Sequence, residues 1–321
     1  MNILHKLIQD GVLNEQEGNS IEAFERDKPM SVHWELKSIL YLGVLLLVTG
    51  LGILVYLNID TIGHQAIIAS IALSTGYCFY YAFKNKLPFS KAQVDHPSPL
   101  FDYVLLLGCL LFGVLIGYLQ FQYTVFGFHY GLATILPTVL YLFAAYFFDH
   151  KGVLSLGISG LAAWLGISAT PMQLLKENDF NDLNIIFVAI GLGLALAVFS
   201  KIAESKDVKK HFGFTYNNFA ANMMFIATLA ALFDKEFKII SFLFLALICF
   251  YYIRYAIAEQ SFLFLLLSVL YGYIGLTYAF FSVLIDFSSD FSFVLGMLFI
   301  MASCAGIILF FIYYKRILKL K

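Results

Sequence analysis

Apolar residues run along the chain in ten long blocks separated by short polar turns. Each block is close to the roughly 20 residues a helix needs to cross a hydrocarbon core. They are Ser38–Leu57, Gln65–Phe83, Tyr103–Phe121, Tyr130–Phe148, Gly152–Thr170, Leu183–Ser200, Asn217–Phe233, Ile239–Ile253, Ser261–Ile285 and Phe291–Tyr314. The eighth is short as bounded and reaches Ala258 if Arg254 snorkels its charge out to the headgroups. Only Asp234–Lys238 separates the seventh from the eighth. The pattern predicts an all-α protein: a polytopic transmembrane helical bundle of about ten spans, occupying residues 36–314.

The flanks are polar. In residues 1–35, Ile3, Leu4, Leu7 and Ile8 have helical spacing and Gly11 is placed to stop that helix. Asn14 and Glu17 form an approximate capping box for a second helix, which carries Ile21 and Phe24 and ends at Pro29. A head this small cannot bury a core of its own, so it is expected to pack on the membrane surface, on the loops or on a partner. It contains no short apolar core followed by a cleavage site, so the first block is expected to act as a retained insertion signal. Residues 315–321 form a basic tail.

Composition agrees with a membrane protein. The chain is 61% hydrophobic and 13% charged, with 34 Phe and 20 Tyr; a water-soluble domain carries about 25% charged residues. A net charge of −1 supplies no field for nucleic acid. The four cysteines, Cys78, Cys109, Cys249 and Cys304, fall inside apolar blocks without CxxC spacing and read as small hydrophobes. No metal site and no cofactor are expected.

Charge placement orients the chain. With ten spans and the N-terminus inside, 17 of the 20 basic residues fall in cytoplasmic segments, leaving Lys176, Lys235 and Lys238 outside. This is the asymmetry the positive-inside rule requires. Both termini are therefore expected in the cytoplasm, with the bacterial inner membrane as the location. The opposite face is acidic, carrying Asp60, Glu177, Asp179, Asp182, Asp234, Glu236, Asp286 and Asp290.

The ten blocks contain no Asp, Glu, Lys, Arg or His. Ion-coupled carriers generally place titratable groups within the membrane, and intramembrane zinc proteases need an HExxH pair on a helix. Neither is present, so membrane hydrolysis is disfavoured and the protein is expected not to be an enzyme. A rim site built from Asp102, Asp149 and His150 is the enzymatic alternative. Nothing in their spacing makes these three meet, and His150 beside Lys151 in a tight turn reads as a solvated loop.

Milder polar groups do enter the blocks. Gln120 lies at the end of the third, with Gln122 just beyond it, and His129 immediately precedes the fourth. Asn218 and Asn222 are four apart in the seventh and share a helix face. These five are the candidate cavity-lining residues, although interhelical hydrogen bonding is the commoner use of membrane amides. Pro137 inside the fourth block and Pro171 closing the fifth are candidate kinks. Gly113 and Gly117 form a GxxxG in the third block, and Gly191 and Gly193 mark the sixth; both pairs suit close helix packing. A parallel repeat is suggested by the likeness of Tyr141–Ser168 to Phe250–Thr277, relating spans 3–5 to spans 7–9.

The head Leu7-Ile-Gln-Asp-Gly-Val-Leu-Asn-Glu-Gln16, followed directly by a Gly-rich first span, resembles the bacterial membrane proteins grouped as domain of unknown function 2157. Ile116-Gly117 with the glutamines that follow, Pro137, and Leu161-Ala-Ala-Trp164 fit the same pattern, over roughly Leu4 to Pro171. Members often carry Gly-Gln-aliphatic-x-Gln at the end of the third span. Here the run is Gly117-Tyr-Leu-Gln120-Phe-Gln122, with Tyr118 in the first glutamine's place. The family has no established activity, so the resemblance implies a topology and no chemistry.

Two functions suit these observations. One is a permease for a small molecule or lipid, not coupled through a membrane carboxylate. The alternative is a non-transporting scaffold or sensor that acts through the head on a membrane-protein partner, or as a homo-oligomer.

Overall fold

The computed structural model describes Asn14 and residues 33–57, 63–94, 98–169, 183–233, 238–286 and 290–320. Apart from Asn14, the head up to residue 32 lies outside the described residues, as do Pro171 and the acidic segments around Glu177 and Asp234. Every regular element among the described residues is helical, with no strand among them.

Ten α-helices follow in order: α1 (His33–Leu57), α2 (His64–Lys84), α3 (Pro99–Tyr123), α4 (Tyr130–Phe148), α5 (Lys151–Ala169), α6 (Leu183–Ser205), α7 (Gly213–Phe233), α8 (Lys238–Ala258), α9 (Phe262–Asp286) and α10 (Asp290–Ile317). One short 3-10 turn, Lys210–Phe212, leads into α7. The ten apolar blocks thus correspond one to one with ten helices, and α8 runs through Arg254 to Ala258.

Seven of the helices (α2, α3, α4, α6, α8, α9 and α10) are long and apolar enough to cross a membrane. Helices α1 and α5 are apolar over shorter stretches, Ser38–Leu54 and Lys151–Gly166. Helix α7 falls short on hydropathy because it carries Asn217, Asn218 and Asn222. It is nonetheless the best-buried helix of the fold, with 13 of its 21 residues buried. A helix surrounded by protein needs no lipid-facing apolar side, so its polar groups are tolerated where neighbours satisfy them.

The chain divides into two units, one ending at Tyr56 and the other starting at Leu57. The first contributes α1. In the second, each helix from α2 to α10 packs on the next, and α7 also touches α5 and α9. Aromatic packing fixes this hub: Phe225 of α7 stacks on Tyr271 of α9 at 5.0 Å and meets Tyr252 of α8 at 5.7 Å.

Helices α4, α6, α8 and α10 all end alike. In each, an amide bonds back five residues: His150 to Ala145, Val208 to Ala203, Ser261 to Ala256 and Leu320 to Lys315. The residue before each donor has positive φ, namely Asp149, Asp207, Gln260 and Lys319. This is the Schellman closure, which satisfies terminal carbonyls and turns the chain sharply. All four closures stand at the same end of the antiparallel bundle, and that end carries most of the described basic residues, Lys238 at the start of α8 being an exception.

Candidate functional site

At the opposite end, α3 and α4 are joined by the turn 124–129. Gln120 is buried and occupied by that turn: its Nε2 donates to the Gly127 carbonyl at 2.9 Å, and its Oε1 accepts from the Phe126 amide at 2.9 Å. Both ends of the amide therefore brace backbone. Gln122 is half-buried nearby and His129 is exposed. Tyr118 meets Nδ1 of His64, which opens α2, at 2.8 Å. Gln120 thus closes a turn here.

Asn218 and Asn222 do share a face of α7. Asn222 Nδ2 donates to the Asn218 carbonyl at 2.9 Å, and Asn222 Oδ1 accepts from the Tyr271 hydroxyl of α9 at 3.2 Å. Asn222 carries the interhelical bond, and Asn218 contacts it from within α7. The more deeply placed amide is Asn217, which is 1% exposed. Its Nδ2 lies 2.7 Å from Ser200 Oγ of α6, 3.0 Å from the Gly213 carbonyl and 3.2 Å from Tyr255 Oη of α8. Asn217 Oδ1 and the Tyr252 hydroxyl are buried with no hydrogen-bond partner among the described residues.

Pro137 is buried within α4, whose helix runs on through it to Phe148. The next residue, Thr138, packs on Gly160 of α5, where a Cβ would strike its hydroxyl. All four cysteines are free, and Cys249 Sγ donates to the Ser268 carbonyl at 3.4 Å.

The strongest polar constellation is at the basic end, where three connections converge. Asp149 is the left-handed residue closing α4, and Lys209 stands just before the 3-10 turn, also with positive φ. Lys209 Nζ lies 3.0 Å from Asp149 Oδ2, and the side chains are only 1% and 3% exposed. His211 Nε2 reaches Asp149 Oδ1 at 2.5 Å. The segment between α2 and α3 joins them: the Val94 amide donates to Asp149 at 2.6 Å, and the Lys209 amide donates to the Lys91 carbonyl at 2.8 Å. Phe89 lies under the Lys209 ammonium, 5.3 Å from its ring centre.

Asp102, Asp149 and His150 do not form one site. His150 Nε2 lies 3.9 Å from Asp102, whereas Asp149 turns to Lys209 and His211. Nor is His150 a solvated loop residue. It is 4% exposed, and its Nδ1 accepts from the Val153 amide at 3.0 Å, capping α5. A side chain able to accept from a free first-turn amide is drawn inward at that position.

Beside this cluster a cavity of about 580 Å³ opens between the α6–α7 and α8–α9 connections. Glu204, Lys210, His211 and Glu259 line it, over an aromatic floor of Phe214, Tyr255 and Phe264. His211 thus faces the cavity while bonded to Asp149, and Tyr255 links the floor to Asn217. Neither the three glutamine-patch residues Gln120, Gln122 and His129 nor the asparagines Asn218 and Asn222 contribute to its lining. Among the described residues no cluster of three His, Cys, Asp or Glu side chains is placed to hold a metal.

Residues 5–154 match the family described as predicted membrane protein, domain of unknown function 2157, which is the resemblance drawn from the head and first spans. The match includes Gln120 and Asp149 and stops before Lys209 and His211. No curated protein and no solved structure matches the chain. The chain is a membrane protein with several apolar helices.

Proposed function

We propose that this protein of the bacterial cytoplasmic membrane has ten spans and cytoplasmic termini, and is a permease for a small polar molecule rather than an enzyme. The cavity of about 580 Å³ at the basic end carries this reading. It sits at the seam between two helix hairpins, where relative motion would open a path. Two carboxylates, Glu204 and Glu259, share its lining with the Lys210 ammonium, the mixed charge that recognition of a zwitterionic or amphoteric solute requires. Beneath lie Tyr255 and Asn217, a polar step into the bundle that places no carboxylate at mid-membrane. The basic excess at this end supports its assignment to the cytoplasm.

The test is a comparison of intracellular and medium metabolites among a clean deletion strain, the complemented strain, and a strain carrying Glu204→Gln with Glu259→Gln. The reading predicts at least one solute whose distribution shifts in the deletion, returns with the wild-type gene and stays shifted with the double variant. Identical profiles in deletion and wild type would overturn it.

The scaffold reading draws on α10, whose span Ser292–Ile317 is only 6% buried and so has most of its surface free for another chain. It predicts a stoichiometric partner or second copy on purification in mild detergent. A bare monomer would count against it.

A further inference from the structure

Helices α6 and α8 flank α7 without closing over it, and a groove of about 490 Å³ remains between them. Its floor is Ala197, Met224 and Ile248, all buried, while Val198, Leu247 and Phe250 on its edges are more than half exposed. The lining is apolar except at one end. There stand Lys201, four residues before the end of α6, and Arg254, four residues before the end of α8. At 1.5 Å per residue the two cations occupy the same depth, about 6 Å inside the helix ends at the basic face.

Three observations converge on a ligand. The groove runs from Lys201 to Leu194 on one wall and from Arg254 to Phe244 on the other, about 10–15 Å of helix rise. That is close to half of the roughly 30 Å hydrocarbon thickness, the depth of one leaflet. No acidic residue lines the groove, although Glu204 and Glu259 line the neighbouring cavity. Finally, the cations are held at the mouth by aromatic faces: Lys201 Nζ is 4.9 Å from the Tyr251 ring centre across the groove, and Arg254 is 5.9 Å from that of Phe250.

We infer that this groove is a binding site for one anionic glycerophospholipid of the adjoining leaflet, its phosphate between Lys201 and Arg254 and an acyl chain against Met224 and Ile248. Arginine offers a planar fork to phosphate and lysine a movable point charge, so the pair suits a headgroup whose orientation varies. A zwitterionic lipid presents an extra cation to the same two residues and is discriminated against. The site is independent of the transport reading, since it opens to lipid and not to the polar cavity.

Native mass spectrometry of the full-length protein tests this, after exchange into nanodiscs of equal phosphatidylglycerol and phosphatidylcholine and release into detergent. The wild type is expected to retain one phosphatidylglycerol in clear excess over phosphatidylcholine. Lys201→Gln with Arg254→Gln is expected to lower that retention roughly tenfold. Lys151→Gln with Lys206→Gln removes the same charge from exposed positions of the same face and is expected to leave retention unchanged. Val198→Trp fills the groove from an exposed edge and should displace the lipid with both cations in place. Equal retention of the two lipids by the wild type overturns the inference without any variant, as does an equal loss in the two double variants.

Discussion

Lys209 and Asp149 form a buried ion pair at 3.0 Å, tying the α6–α7 connection to the end of α4. Burial makes each charge dependent on the other, because neither has water to replace its partner. Asp149 also accepts from Val94 and His211, so one carboxylate holds three connections of the bundle end. Asp149→Asn is expected to lower stability by about 3 kcal/mol, the usual cost of leaving a buried charge uncompensated. Lys209→Met should cost less than this, since the remaining carboxylate keeps His211 and the Val94 amide. Thermal unfolding in mild detergent reads both. Additive losses in the double variant would show that the pair contributes nothing of its own.

The same carboxylate predicts a local effect. The segment 89–94 is held over the cluster by Val94 and by the backbone bond from Lys209 to Lys91. In Asp149→Asn, amide exchange should rise at 89–94 well before it rises in α3 or α4, as expected when a loop loses its anchor but its helices keep theirs. Uniform acceleration over the whole chain would contradict a local role.

At the opposite end, Gln120 satisfies two backbone groups of the turn 124–129. Gln120→Leu keeps the volume and removes both bonds, with an expected loss of about 1–2 kcal/mol and faster exchange confined to that turn. Gln122→Leu and His129→Ala, whose side chains are less buried, should change little. If all three variants behave alike, the turn is not braced by Gln120.

The helices were legible in the sequence because hydropathy and block length are local properties. The structure keeps every block and lengthens most by a few residues. Helix α7 shows where that reasoning stops: spacing placed Asn218 and Asn222 on one face, but periodicity cannot say which face points inward. Asn217, one residue away, is the better-buried amide. The Asp149–Lys209–His211 cluster was illegible for another reason. Its members lie in separate connections, and what joins them is the meeting of three loops at one bundle end, which no local pattern encodes. Asp149 and His150 are both rim residues by position, yet adjacent positions across a sharp turn face different neighbours, and the two take different partners.

Asn217 offers a test of the hub. It bridges α6 and α8 through Ser200 and Tyr255. Asn217→Leu should cost roughly 1 kcal/mol, the scale of interhelical hydrogen bonds in membranes. Asn218→Leu should cost less, because its carbonyl, not its side chain, is the shorter contact to Asn222. An Asn218 variant more damaging than the Asn217 variant would invert the assignment.

Gly191 and Gly193 separate packing from propensity within one helix turn of α6. A Cβ on Gly193 would stand 2.6 Å from Met224 Cγ and 3.1 Å from the Ala220 carbonyl oxygen, so α6 approaches the α7 backbone there. The methionine can swing aside, but the carbonyl belongs to a buried helix and cannot. A Cβ on Gly191 would meet nothing within 4 Å. Alanine is the better helix former by up to about 1 kcal/mol. Gly191→Ala is therefore expected to be neutral or mildly stabilising. Gly193→Ala should be destabilising despite the same gain in propensity, and Gly193→Leu more so, because α6 must move off α7 and strain the Asn217–Ser200 bond. Thermal unfolding of the three variants gives the order Gly191→Ala, Gly193→Ala, Gly193→Leu from most to least stable. Equal behaviour of the two alanine variants would mean that α6 and α7 do not approach as closely as their backbones indicate.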